Sequence, residues 1–336
     1  MKYDKILLGH GSGGKLSHQL IEEVFLPYFS EDTLYKMDDA AVLEYPGNGL
    51  VFSTDSYVVD PIEFPGGDIG KIAVCGTVND ISMMGARPLF LSAGFIIEEG
   101  FSIEVLHRIL TSMKNAALEA GVRIVTGDTK VVPRGAADKL FINTAGVGLP
   151  MAEKLPSGAG AKPGDQIIIN GPIAEHGITV MATREGLEMD LSIKTDSAPL
   201  NHLVREIMAV SGEIHVMRDP TRGGIATTLN EIARQSEMAI NIDENQLPIT
   251  PEVSSACEIL GLDPLYIANE GKILVFCSQD DTPRILEIMH KNKYGGAARV
   301  IGTVREEPRR KVILKTAIGG QRLIDMLAGE QLPRIC

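Results

Sequence analysis

The final four residues, Pro333-Arg334-Ile335-Cys336, place a thiol on the last residue of the sequence. A cysteine in that position is expected to ride on a flexible tail and to present its sulfur to more than one site. The chemistry that suits it is group carriage, in which the thiol holds a substrate covalently while another part of the same chain acts on it. Cys75, Cys257 and Cys277 stand in apolar helical or strand patterns and read as small buried hydrophobes. None of the four is spaced as C-x-x-C, so a zinc or dithiol motif has no support.

Four acidic elements lie in the first half. They are Asp38-Asp39, Asp55 within Ser53-Thr54-Asp55-Ser56, Asp80 within Val78-Asn79-Asp80-Ile81, and Asp128 within Thr126-Gly127-Asp128-Thr129-Lys130. Asp55 and Asp128 each follow a β-type run and are expected at strand ends. Asp80 interrupts a helical pattern, a poor place for an aspartate without a role. Any one of these is ordinarily a cap or turn residue. Gathered together they would repel without cations, and hard oxygen ligands of this kind suit Mg²⁺ bridging nucleotide phosphates.

The run Gly9-His10-Gly11-Ser12-Gly13-Gly14-Lys15 fits the letters of a P-loop, but Leu16 stands where the metal-binding hydroxyl belongs. A Walker motif is therefore excluded. A glycine-rich backbone with one lysine can still wrap polyphosphate through exposed N–H donors, and it also reads as an ordinary N-terminal loop. In the second half, Arg218-Asp219-Pro220-Thr221-Arg222-Gly223-Gly224 reads as a turn leading into a helix. Glu270, in Asn269-Glu270-Gly271-Lys272 at a strand entry, is either a general base or a surface glutamate. His176 is a turn or helix-start residue that would titrate near neutrality.

The elements that position these residues are mixed. The 336 residues suggest two domains large enough to bury their own cores. A formal charge of −12 argues against a nucleic-acid surface. No apolar run approaches the roughly 20 residues of a membrane span, and no signal h-region follows Met1, so a cytoplasmic location is expected. The small, Gly/Pro-broken run from Ser157 to Asp165 marks the expected domain boundary, dividing the chain into residues 1–156, 157–316 and a tail, 317–336. Helices are predicted near Ile69–Met84, Ser102–Gly121, Gly177–Gly186 and Pro199–Ser211. Strands are predicted near Leu89–Ile97, Gln166–Ile169 and Ile273–Phe276. Both halves are therefore α/β in class, with α+β mixing. The tail is expected to be partly helical up to Gly329, leaving a mobile arm.

These stretches together resemble the ATP-dependent superfamily of aminoimidazole ribonucleotide synthetase, selenophosphate synthetase and thiamine monophosphate kinase. The spaced aspartates and Asp219-Pro220-Thr221-Arg222-Gly223-Gly224 carry that resemblance. Within the superfamily the chain is similar to the hydrogenase-maturation branch, from His10-Gly11-Ser12-Gly13-Gly14 to Pro333-Arg334-Ile335-Cys336. Phe52–Val58, Phe64-Pro65-Gly66-Gly67, Val125–Val132 and Asn269-Glu270-Gly271-Lys272 belong to the same likeness.

The resemblance implies an N-terminal domain that contributes strands to a β-barrel shared across a homodimer, and a C-terminal domain of α/β layers. It implies an ATP site in the cleft between them, with the tail folded back into it. It further implies a carbamoyl dehydratase that converts an S-carbamoyl group on its own Cys336 to a thiocyanate. The carbamoyl group would be loaded by a carbamoyltransferase of the HypF kind. The cyano group would pass to iron on a HypC–HypD scaffold, toward the [NiFe]-hydrogenase centre. On this resemblance Asp38, Asp39, Asp55, Asp80 and Asp128 would hold Mg²⁺, while His10, Gly11, Ser12, Gly13, Gly14, Lys15, Asn79 and Thr129 would bind ATP. Glu270 would be the base, and Lys130 would stabilise charge, orient Glu270 or bind phosphate. A small-molecule kinase or synthetase of the same superfamily, with an incidental tail, is the alternative, and a metal-holding module without ATP hydrolysis is a further one.

Overall fold

The structure is a computed structural model that describes residues 14–20, 22–23, 40–43, 49–186, 193–327, 329 and 334–336. His10, Gly11, Ser12, Gly13, Asp38 and Asp39 lie outside the described residues.

After a short helix, α1 (Lys15–Leu20), the first half builds a five-stranded sheet. Its strands are β1 (Ala41–Leu43), β2 (Leu50–Tyr57), β5 (Ala86–Glu98), β6 (Arg123–Val132) and β7 (Leu140–Pro150), in the order β1-β2-β7-β5-β6. The small hairpin β3 (Glu63–Phe64) and β4 (Gly67–Asp68) leads into helix α2 (Ile69–Met83). Helix α3 (Ile103–Ala120) joins β5 to the parallel strand β6. The two predicted ends of α3 are its caps. Ser102 accepts the Val105 N–H, and Gly121 terminates the helix at φ 69, a left-handed conformation that glycine adopts without a Cβ clash.

Side chains alternate across this sheet. Val51, Ser53 and Tyr57 of β2 and Leu140 and Ile142 of β7 are buried toward α2 and α3. On the opposite face Phe52, Ile96 and Leu149 stay exposed. β6 is an edge strand whose residues are exposed from Arg123 to Val131.

The second half forms a seven-stranded sheet, ordered β14-β13-β10-β12-β8-β11-β9. Its strands are β8 (Gln166–Ile169), β9 (Ile214–Arg218), β10 (Ala239–Asp243), β11 (Leu274–Cys277), β12 (Arg299–Arg305), β13 (Lys311–Lys315) and β14 (Gln321–Ile324). Packed on it are α4 (Glu175–Arg184), α5 (Asn201–Val210), α6 (Gly224–Gln235), α7 (Pro251–Leu260) and α8 (Thr282–Lys291). Strands β8 and β11 are central and bury nearly every side chain, which is why they read as continuous apolar runs rather than alternating ones. Cys75, Cys257 and Cys277 are buried as expected.

Two local expectations are corrected. Residues 321–324 are not helical; after the Thr316–Gly320 turn the chain folds back on β13, pairing Val312 with Ile324, and Ile324 enters the core. Asp55 and Asp128 sit within β2 and β6 rather than at strand ends, because each β run continues past its aspartate. The run Ser157–Asp165 is tied down: Asp165 is buried and accepts from His215 Nδ1 at 2.9 Å. Among the described residues no helix is long and apolar enough to cross a membrane.

The two halves share a core. Val180 and Ala268 pack into the cluster built around α2 and α3. Asn79, on α2, is buried, donates from Nδ2 to Ala198 O at 3.0 Å and accepts the Leu200 N–H on Oδ1 at 2.8 Å. Asn79→Ala would strand both backbone groups in the interior and should destabilise the protein by about 2 kcal/mol. Urea denaturation of the variant checks this; an unchanged midpoint would remove Asn79 as the tie between the halves.

Candidate active site

The terminal residues lie in the cleft between the halves. Val58 N–H donates to Cys336 O at 3.0 Å and Asp60 N–H to Arg334 O at 3.1 Å, so the tip pairs with the chain leaving β2. His176, at the start of α4 and fully buried, meets Ile335 O through Nε2 at 2.8 Å. The carbonyl can only accept, so that nitrogen carries the proton, and Nδ1 accepts from Thr195 Oγ1 at 2.8 Å. Ile335 is itself buried, in the core cluster that holds Tyr57, Val59 and Val180.

Beside the tip stands Glu270, which is 4% exposed. Its position is set from below. Asp196 accepts the Glu270 N–H at 3.1 Å and the Gly271 N–H at 3.3 Å, and pairs with Lys272 Nζ at 3.0 Å. Gly271 is required there, since an added Cβ would lie 1.9 Å from Asp196 O. Asn269 completes the clamp. Its Oδ1 accepts the Ala174 N–H at 2.8 Å, and its Nδ2 donates to Pro220 O at 2.8 Å. One side chain thus fixes the α4 start, the Asp219–Gly224 turn and Glu270 relative to one another.

Burial, then the neighbouring Asp196 and Asp55, push the Glu270 carboxyl well above the ordinary carboxylate range. Although burial opposes it, Lys272 holds Asp196 below that range. Asp219 is buried and is raised to about 6, chiefly by desolvation. Arg222 brings positive charge into this group, 4.0 Å from Asp55. Burial raises the Tyr57 hydroxyl, with Asp55 adding to the effect. Burial likewise pushes the Cys336 thiol up to about 12, against the pull of Arg222. Desolvation, with Glu270 and Asp55 nearby, therefore favours the neutral thiol in the cleft.

The predicted residues divide. Asp55 and Asp80 lie on the cleft side, with Ser53 Oγ donating to Asp80 at 2.7 Å. Asp128 and Lys130 do not join them. The register Ser56–Asn143–Gly94–Asp128 puts Asp128 on the open face, with Ser56, rather than on the face bearing Asp55. Three strand spacings, roughly 14 Å, add to the separation. Asp128 and Lys130 pair with each other at 2.7 Å, largely exposed, and Thr129 shares their exposed strand. Among the described residues no three acidic, histidine or cysteine side chains gather into a metal-binding group. Both ends of the Asn79 amide are occupied by backbone. Gly14 packs against Leu327, and Lys15 pairs with Asp325 at 2.6 Å while its N–H bonds Leu327 O, which ties these two residues to the second half.

Sequence reasoning missed Asp196 and Asn269 as parts of this site. Asn269 had a signal, its place beside Glu270. Asp196 had none, since a lone aspartate in Thr195-Asp196-Ser197 looks like a turn.

The two halves of mixed α/β structure match the two domains of AIR synthase related proteins. The N-terminal domain of that family matches residues 37–149 and its C-terminal domain residues 162–315. Carbamoyl dehydratase HypE of Cupriavidus necator is 50% identical, covering 100% of this chain and 96% of that one. A crystal structure of HypE in complex with ATP is 50% identical, covers 99% of this chain and 100% of that chain, and superposes with a TM-score of 0.84. A chain from a HypE–HypF complex is 48% identical, covers 92% of this chain and 99% of its own, and superposes with a TM-score of 0.87. This chain belongs to the HypE family of hydrogenase maturation proteins.

At pH 8 the docked Cys336 should react with iodoacetamide about tenfold or more slowly than the same cysteine in a free peptide of the last seven residues. Peptide mass fingerprinting over a time course reads both rates; equal rates would show that the cleft does not suppress the thiolate.

Proposed function

We propose that this chain uses ATP to dehydrate a carbamoyl group carried on the sulfur of Cys336, giving a thiocyanate for the cyanide ligand of the [NiFe]-hydrogenase iron. The observation that carries this reading is the seat of Cys336 in its own cleft, beside a buried, strongly basic carboxylate and an arginine. Full-length identity to carbamoyl dehydratases supports it.

The chemistry follows from the groups present. An amide oxygen is a poor leaving group until phosphorylated. The carbamoyl oxygen attacks the γ-phosphorus of ATP, and ADP departs. The nitrogen then gives up its two hydrogens as protons while the carbon–oxygen bond breaks and phosphate leaves, so the C–N bond becomes triple. Glu270, raised by burial, is the base for the nitrogen. Arg222 offsets negative charge at the oxygen as it is phosphorylated. Asp55 and Asp80, with Asp38 and Asp39, are hard oxygen donors that would hold Mg²⁺, which when bound neutralises the transferred phosphate's charge. The glycine loop ending at Lys15 would cover the phosphates. Loading would fall to a carbamoyltransferase of the HypF kind and unloading to iron on a HypC–HypD scaffold. The tail must leave the cleft for both, and a neutral, half-buried thiol is protected between visits. All of this chemistry fits a cytoplasmic protein.

A homodimer completes the site. Phe52, Ile96 and Leu149 on the open face and Ile124, Val125 and Val131 on the edge strand are apolar and exposed, a surface that a second copy would cover by closing two sheets into a barrel. Asp128 and Lys130 face that second copy rather than their own Glu270. We infer that they serve the partner's cleft.

After carbamoylation, the C-terminal peptide should lose the mass of one water on addition of Mg-ATP. Glu270→Gln should keep the adduct and its mass. In the wild type the rate should climb with pH through the raised range of Glu270, because only the ionised carboxylate accepts a proton, and should fall below it. An adduct unchanged by ATP would sink the reaction, and normal turnover by Glu270→Gln would remove the base.

Lys130→Ala and Glu270→Gln should each be inactive alone. Co-refolded, they should regain activity, because a mixed dimer contains one complete site; absence of complementation in a verified heterodimer would place Lys130 in its own chain's site.

A further inference from the structure

Every one of the last three carbonyls meets a donor fixed to the cleft wall. Arg334 O receives Asp60 N–H and also Arg184, whose guanidinium NH2 lies at 2.7 Å and whose Nε is held by Asp60 O at 2.8 Å. Ile335 O receives His176, and Cys336 O receives Val58 N–H. The side chains are read as well. Arg334 donates from Nε to Val58 O at 2.9 Å and ion-pairs with Asp138, while Ile335 is 3% exposed among core residues. Arg334 holds φ 55, a left-handed backbone that a non-glycine residue adopts only when its surroundings impose it. The wall's donors are also held by contacts outside the tail: His176 is oriented by Thr195, which also accepts the Ser197 N–H at 3.1 Å, and Arg184 by Asp60.

We propose that the cleft mouth is a sequence-reading site for the tripeptide Arg334-Ile335-Cys336. His176 is its positioning residue, and the site accepts the same three residues from a separate molecule. The Val58 and Asp60 N–H groups select a carboxy-terminal segment whose main chain turns left-handed at Arg334. Asp138 selects a cation at the third position from the end, and the apolar seat selects a branched hydrophobe next to last. His176 grips the middle carbonyl and thereby fixes how deep the sulfur sits beside Glu270. The purpose of the reading rests on Cys336 as the substrate-bearing group, but the binding itself does not.

The test uses the full chain and no ATP. Iodoacetamide labelling of Cys336 is timed at pH 8 with increasing amounts of a synthetic peptide of residues 330–336 carrying Cys336→Ser. A peptide that takes the seat displaces the tail, so labelling should accelerate in proportion to occupancy until the tail is free. The same peptide carrying Ile335→Asp should do nothing. His176→Phe in the full chain should label about tenfold faster without any peptide, the cost of one buried hydrogen bond. Should that variant fail to fold, Ile335→Asp in the full chain, which alters only the tail, should label equally fast. Labelling indifferent to the peptide at every soluble concentration, or equal acceleration by the Ile335→Asp peptide, would overturn the proposal. Either result would leave the dehydration reading standing, since no turnover is measured.

Discussion

A buried carboxylate, Asp196, organises the backbone on which the chemistry depends. It accepts the Glu270 and Gly271 N–H groups and faces the Lys272 ammonium. An unpaired charge at such depth would not be tolerated, and removing one partner of a buried ion pair ordinarily costs about 3–5 kcal/mol. Lys272 is in turn shared with Glu175, one residue before His176. The same ionic group therefore sets Glu270 and the start of the helix that grips the tail. A second consequence is electrostatic. Held ionised by Lys272, Asp196 places negative charge beside Glu270 and helps make that carboxyl a stronger base than a surface glutamate.

That basicity constrains the thiol. Glu270, Asp55 and Cys336 crowd one desolvated space with Arg222 as the countercharge, and a thiolate there would be a further anion. The cleft favours a neutral sulfur ligand, which describes a free thiol, a thiocarbamate and a thiocyanate alike. The site is thus suited to changing the group on the sulfur and unsuited to attaching it. The proposed division of labour between loading and conversion agrees with these electrostatics.

The outline of the fold was legible because its elements obey local rules. The caps Ser102 and Gly121 bounded α3, and the apolar run Gln166–Ile169 became a central strand. The tail was misread because Gln321–Ile324 has no strong local preference, and its pairing with β13 depends on an edge offered by a distant part of the chain. Strand position was also misjudged for Asp55 and Asp128, since a polar residue within a strand looks like its end when the alternation between faces is unseen.

The residue types of the chemistry were set by the sequence alone: a terminal thiol, a glutamate in Asn269-Glu270-Gly271-Lys272, and a series of aspartates. Those are covalent facts of the chain. Only the tertiary structure decided which of them meet. It joined Cys336 to Glu270 and Asp55, turned Asp128 and Lys130 to the opposite face, and put Asp196 beneath Glu270. The reason is physical. Reactivity here comes from desolvation and from the charges that share a buried space, and both are set by packing between segments far apart in the chain, on which local sequence carries no information.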